Sequence, residues 1–119
     1  MSENLPLGSV DAILAIDDRE IHSVDVPEWK CSVKVQPLTK AQEHAIRKRA
    51  TRGNKVDEQL VEGLYFVHGV VEPKFTPDQV NRIMEKNSSA VNKVLLKIMD
   101  ISGISEEAAE EADEDMKSE

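Results

Sequence analysis

The sequence predicts one α+β domain, mostly helical, in which an N-terminal β-hairpin is followed by about four helices. Apolar residues alternate with polar ones between Glu20 and Val35, whereas from Thr39 onward they recur at spacings of three and four. These are the patterns of half-buried strands and of amphipathic helices. The breaks between segments carry Thr, Asp, Ser, Pro or Gly, residues that cap helices or turn the chain.

The elements follow in order. Residues 1–8 read as a flexible N-terminus, because Pro6 and Gly8 punctuate a stretch without periodicity. The domain proper is expected over residues 9–104. Ser9 is placed to cap a short helix, Val10 to Ile16, which Asp17-Asp18-Arg19 interrupts. From Glu20 the period becomes two. Ile21, Ser23 and Asp25 fall on one face and His22, Val24 and Val26 on the other, and Cys31, Val33 and Val35 resume the alternation after Pro27-Glu28-Trp29-Lys30. Pro27 cannot donate to a strand ladder and so belongs at the strand end or in the turn, while Pro37 closes the second strand. A two-stranded hairpin is marginal in water, so its apolar face needs helices to cover it.

Thr39 with Gln42 three residues later has capping-box spacing, and the helix it opens is expected to run to about Arg52, where Gly53-Asn54 ends it. Its apolar stripe (Ala41, Ala45, Ile46, Ala50) is narrow, and Arg47, Lys48, Arg49 and Arg52 spread over its surface. Asp57 opens a stronger helix with Leu60, Val61, Leu64, Val67 and Val71 at helical spacing and Tyr65 and Phe66 widening the face. This is the expected central helix, with Gly69 near its end and Glu72-Pro73-Lys74 as its exit. Thr76-Pro77-Asp78 starts another, since Pro at the first helical position gives up only a donor that would be unpaired. Val80, Ile83 and Met84 face inward. Asn87 stops it, Ser88 or Ser89 is expected to cap the last helix, and Val91, Val94, Leu95, Ile98 and Met99 form its stripe up to Gly103. Residues 105–119 read as an acidic tail, disordered or a frayed helix, with Ala108, Ala112 and Met116 four apart.

Composition narrows the function. With 119 residues, 39% of them apolar but only 3% aromatic, the core must be built from aliphatic side chains around Trp29, Tyr65, Phe66 and Phe75. A lone cysteine, Cys31, excludes an internal disulfide and fits the cytoplasm. Neither a signal peptide nor an apolar run of about 18 residues appears, so membrane partners are not expected. The net charge of -8 is uneven: residues 105–119 hold eight acidic residues against one lysine, a net -7, which leaves -1 for the rest. That balance disfavours non-specific nucleic-acid binding.

No active site assembles from the residue types. His22, His44, His68 and Cys31 have no pair at the spacing that gathers metal ligands on one helix face. Cys31, flanked by Lys30 and Ser32 in a strand pattern, reads as a half-buried strand cysteine rather than a nucleophile. Phosphate-binding glycine loops and hydrolase motifs are absent, and Asp17-Asp18 and Glu106-Glu107 read as solvated charges. No catalytic residue, metal or cofactor is expected. Two features suggest partner binding. Trp29 in the hairpin turn is either a core ring or an anchor for a partner. The run Arg47, Lys48, Arg49, Arg52 and Lys55 is either a solvated face or a docking patch for an acidic partner or for this chain's own tail.

The order of these elements, with Val24-Asp25-Val26-Pro27-Glu28-Trp29 before Val33-Lys34-Val35 and Leu38-Thr39, then Phe75-Thr76, Lys86-Asn87-Ser88-Ser89-Ala90-Val91 and Ile101-Ser102-Gly103-Ile104-Ser105-Glu106-Glu107, resembles the tail assembly chaperones of long-tailed bacteriophages. The resemblance spans about Ile13 to Glu107, and the chain departs from it in having Lys30 where a glycine is expected after the tryptophan. It implies a non-catalytic factor of the host-cell cytoplasm, absent from the mature virion. Such a factor binds the tape-measure protein and helps recruit the major tail-tube protein, and family members often have a longer frameshifted form as a further partner. A homo-oligomer is compatible with this role, although no heptad seam demands one. Trp29 and the face carrying Arg47, Lys48, Arg49 and Arg52 are the expected partner contacts. The alternatives are another phage structural or connector protein, and a small nucleic-acid-binding regulator using the basic helix.

Overall fold

In the computed structural model, which describes residues 5–104, a three-stranded antiparallel sheet carries its helices on one face, an α+β arrangement. Helix α1 (Val10–Ala15) precedes strands β1 (His22–Val26) and β2 (Cys31–Val35), which a 3-10 turn at Pro27–Trp29 joins. Then come α2 (Lys40–Ala50), the short pair β3 (Thr51–Arg52) and β4 (Lys55–Val56), α3 (Glu58–Gly69), β5 (Val70–Glu72), α4 (Pro77–Ile83) and α5 (Ser88–Ile101). The expected hairpin is present after the expected short helix α1, but β5 pairs with β2, so the sheet order is β1-β2-β5. The acidic tail lies outside the described residues.

The register follows from burial. Val24 pairs with Val33 and Val26 with Cys31, so the valines share the inner face, where Val24, Val26, Val33, Val35 and Val70 are buried. Helix α5 lies across this face against β1 and β2, α3 packs on α5, and α2 and α4 flank α3. Val91, Val94, Leu95 and Ile98 of α5 are buried as their spacing requires. Phe66, the largest fully buried side chain, meets Phe75 edge-to-face at 5.4 Å and 63°, an arrangement that aligns ring edge with ring face.

Several elements depart from the sequence reading. Helix α2 ends at Ala50, two residues early: Thr51 is extended, its Oγ1 donates to the Arg47 carbonyl at 2.6 Å, and Thr51 and Arg52 pair with Val56 and Lys55 across Gly53-Asn54. Gly53 has φ +62°, the backbone a two-residue turn asks of glycine. Arg52 therefore sits on a strand. Val71 is likewise off the helix, because α3 stops at Gly69 and Val70–Glu72 form β5; the Gln36 N–H donates to the Gly69 carbonyl at 2.9 Å and Val70 pairs with Val35. Consecutive β-branched valines lose little by becoming extended, and a hairpin gains a third strand.

Capping is local and mostly as expected. Thr39 and Thr76 form capping boxes with Gln42 and Gln79, and Ser9 accepts from the Ala12 N–H at 3.2 Å. Asn87, not Ser88 or Ser89, caps α5: its Oδ1 accepts from the N–H groups of Ser89 and Ala90 at 2.8 and 3.3 Å. At the other end Gly103 has φ +72°, its N–H donates to Asp100 and the Ile104 N–H to Met99 at 2.8 Å. This Schellman motif stops the helix and buries Ile104.

The hairpin turn is strained at position 30. Lys30 has φ 57° and ψ 34°, left-handed backbone in which a Cβ costs about 1–2 kcal/mol and a glycine nothing. Cys31 is exposed, not half-buried. It shares the valine face by alternation and follows the turn directly, and its cross-strand partner Val26 is nevertheless fully buried.

Candidate functional site

No reactive constellation forms among the described residues. An open depression of about 570 Å³ on the sheet is lined by Ile21, His22, Ser23, Lys34, Val71 and Glu72. Lys34 and Glu72, register partners on the outer face, are paired at 3.3 Å. His22 and Ser23 are strand neighbours and so point to opposite faces, which prevents one from activating the other. No group of three or more His, Cys, Asp or Glu among the described residues could hold a metal ion, and no helix there is long and apolar enough to cross a membrane.

Trp29 ends the 3-10 turn half-buried, with its ring against the core and its indole Nε1 buried without a hydrogen-bond partner among the described residues. Beside it, Glu28 accepts from Lys93 of α5 at 3.1 Å. The backbone N–H at Glu28 and then Lys93 hold that carboxyl below the ordinary glutamate range. A buried donor left unpaired costs about 1–3 kcal/mol, comparable to the packing the larger ring contributes. Trp29→Phe is therefore expected to change unfolding free energy by less than about 1 kcal/mol in urea titrations followed by far-UV circular dichroism, while Trp29→Ala loses about 3 kcal/mol or more. A loss of that size for Trp29→Phe would mean that Nε1 has a partner in solution.

The basic residues gather elsewhere. Trp29 sits by the first half of α5, whereas the start of α2 meets its C-terminal end, where the Leu38 N–H donates to Ser102 Oγ at 2.9 Å. No hydrogen bond or ion pair among the described residues joins Trp29 to Arg47, Lys48, Arg49 or Arg52. Arg47 is half-buried and 3.9 Å from Glu43. Lys48, Arg49, Arg52 and Lys55 are exposed and form no ion pair among the described residues. Arg52 and Lys55 are direct cross-strand partners, a like-charge juxtaposition that is unfavourable.

The same cationic field reaches α3. His68 titrates below the ordinary histidine range because burial disfavours its charged form and Lys74 and Arg49 repel it. The unfolded chain takes up this proton near the ordinary value while the folded one resists. His68 thus contributes stability above about pH 6.5 that is lost as pH falls toward the lowered folded value. His68→Gln should flatten the acid side of the stability–pH curve, and Arg49→Gln should raise the His68 titration point read by NMR. A titration point unmoved by Arg49→Gln would separate that arginine from the histidine. Tyr65, next to α2, is pushed above the ordinary tyrosine range by burial.

A surface that the sequence reading did not single out is the segment before the sheet. Leu5, Leu7, Val10, Ile13, Leu14 and Ile16 are all exposed, from 63% at Ile13 to 101% at Leu7, and no residue of α1 is buried. Val10, Ile13 and Leu14 lie at i, i+3 and i+4 and form one apolar stripe. The spacing was legible in the sequence. What was not is that nothing among the described residues covers it. The clip that follows, with Arg19 Nε donating to the Pro37 carbonyl at 3.0 Å and Gln36 Nε2 to the Arg19 carbonyl at 2.8 Å, fastens the chain to the sheet only after this arm has passed.

No protein-family model matches the chain, and no curated protein and no solved structure matches it.

Proposed function

We propose that this protein is a non-catalytic docking factor acting as a phage tail assembly chaperone. In this reading it binds the tape-measure protein in the host cytoplasm and helps recruit tail-tube subunits around it. The observation that carries the reading is the uncovered apolar arm, Leu5 to Ile16. Monomeric proteins seldom leave so many neighbouring large apolar side chains in water without a partner. A short amphipathic helix is a standard ligand for an apolar groove or a second helix, and a tape-measure protein is a long helical rod that needs cover before the tube encloses it.

Magnitudes fit reversible cover. Fully burying one such side chain contributes about 1.5–3 kcal/mol, and part of the total is spent on association and ordering. One arm then binds modestly, and many copies along a rod bind together yet can be displaced one at a time.

The test is co-expression with the longest helical protein encoded in the same genome, followed by affinity purification and sizing of the complex. The helical protein should stay soluble only in the presence of this chain and should co-purify with several copies of it. If it is equally soluble alone and nothing co-purifies, tape-measure binding is abandoned.

A further inference from the structure

Lys48, Arg49, Arg52 and Lys55 lack counter-charges among the described residues, and the complementary charge lies in the same chain. We propose that residues 105–119 dock in cis across the surface formed by Lys48, Arg49, Arg52 and Lys55. Three observations lead there.

The first is the surface itself. Arg52 and Lys55 face each other across a two-residue ladder with Lys48 and Arg49 just before them, all exposed. The nearest acidic residue in sequence, Asp57, turns away to cap α3, its Oδ1 accepting from the Leu60 N–H at 3.1 Å. Opposed like charges persist at a cost, which an anionic segment laid between them removes.

The second is the occupant. Residues 105–119 carry eight carboxylates and one lysine. Glu106, Glu107, Glu110, Glu111 and Glu114 recur at three- and four-residue spacings, beside Ala108 and Ala112. As an isolated helix these carboxylates repel one another, and a cationic surface turns the same spacing into an advantage.

The third is reach. The described chain ends at buried Ile104, held by the Schellman motif, and Ser102 Oγ binds the Leu38 N–H directly before α2. The described chain thus ends two residues past a contact made just before the first turn of α2. From there α2 extends for about 16 Å, and fifteen residues cover about 22 Å as a helix or about 50 Å extended. A tether this short holds the tail at an effective concentration of about millimolar, so weak individual ion pairs suffice together. The tail then acts as a built-in competitor: an acidic partner reaches α2 only by displacing it, and raised salt opens the surface.

The experiment uses the full chain with Cys31→Ser, which removes the exposed native thiol, and Ser118→Cys carrying a nitroxide. At low salt and low protein concentration, amide signals from Lys48 to Lys55 should broaden several-fold more than those of Val24 to Val33. About 1 M sodium chloride, where the screening length is about 3 Å, should abolish the difference. So should Arg52→Glu with Lys55→Glu, and if that variant does not fold, the salt series decides alone. Equal broadening in both regions, or none, overturns the proposal. Broadening that passes to isotope-labelled copies from spin-labelled ones in a mixed sample also overturns it, placing the tail on a second copy.

Discussion

Replacing Gly69 by alanine is expected to lower the unfolding free energy by about 1–3 kcal/mol, the cost of overpacking a core, although Gly→Ala in a helix ordinarily contributes about 1 kcal/mol in the opposite direction. A Cβ at this position would lie 2.6, 2.7 and 2.8 Å from Cδ1, Cγ2 and Cγ1 of Ile98. Ile98 is fully buried, and two of those carbons branch from its own Cβ, so rotating the side chain exchanges one clash for another. Relief requires α3 to move from α5. Gly69 also accepts the Gln36 N–H and leads directly into β5, so that movement loosens the third strand. Total stabilities of small domains are about 5–15 kcal/mol, which makes the loss large, and Gly69→Val should unfold the chain at ordinary temperature. Urea midpoints would settle it. Ile98→Ala, which deletes all three clashing carbons, should cost less in the Gly69→Ala background than alone, a coupling seen in a double-mutant cycle. A midpoint that rises for Gly69→Ala would refute the close approach of α3 and α5.

The second large effect is expected on binding and not on stability. Ile13→Ala with Leu14→Ala keeps the helix propensity of α1 and removes the centre of its stripe. Both side chains are exposed, so thermal and urea midpoints should stay within about 0.5 kcal/mol of the original. If the arm is the element that docks, each truncation removes at least about 1.4 kcal/mol of partner burial, a tenfold loss each and about a hundredfold together. Retention of the helical partner on an affinity column checks this. Undiminished retention would exclude the arm and shift attention to the basic surface. A fall in the midpoint would mean that α1 packs on the body in solution.

The readable parts of this fold are those decided within a few residues. Thr39 announced its helix because a hydroxyl three residues before a glutamine satisfies two backbone donors reciprocally, and Thr76 announced the next because a proline follows it at the first helical position. The alternation around Val24 and Val33 revealed which strand face is buried, since the side-chain period of two leaves no other choice. The stripe on α5 did the same at a period near 3.6. The misread positions are those where a distant partner overrode the local pattern. Val71 fits a helical stripe, yet it lies in β5 because β2 has an unpaired edge waiting thirty-five residues earlier in the chain. Arg52 fits the basic face of α2, yet Thr51 and Gly53 turn it into a strand.

The candidate surfaces divide in the same way. That Arg47, Lys48, Arg49 and Arg52 form a run of positive charge was visible in the sequence, whereas the left-handed backbone at Lys30 was not. Sequence alone thus determined where the helices begin, most of their N-caps, the inner face of the hairpin and the charge imbalance between body and tail, all properties set by near neighbours. Only the tertiary structure decided that Trp29 leans on the core, that Arg52 opposes Lys55, and that among the described residues nothing pairs the Trp29 Nε1 or covers the apolar arm. A stripe of apolar residues states that a side chain gains by burial, but whether any surface is there to bury it depends on where every other element comes to rest.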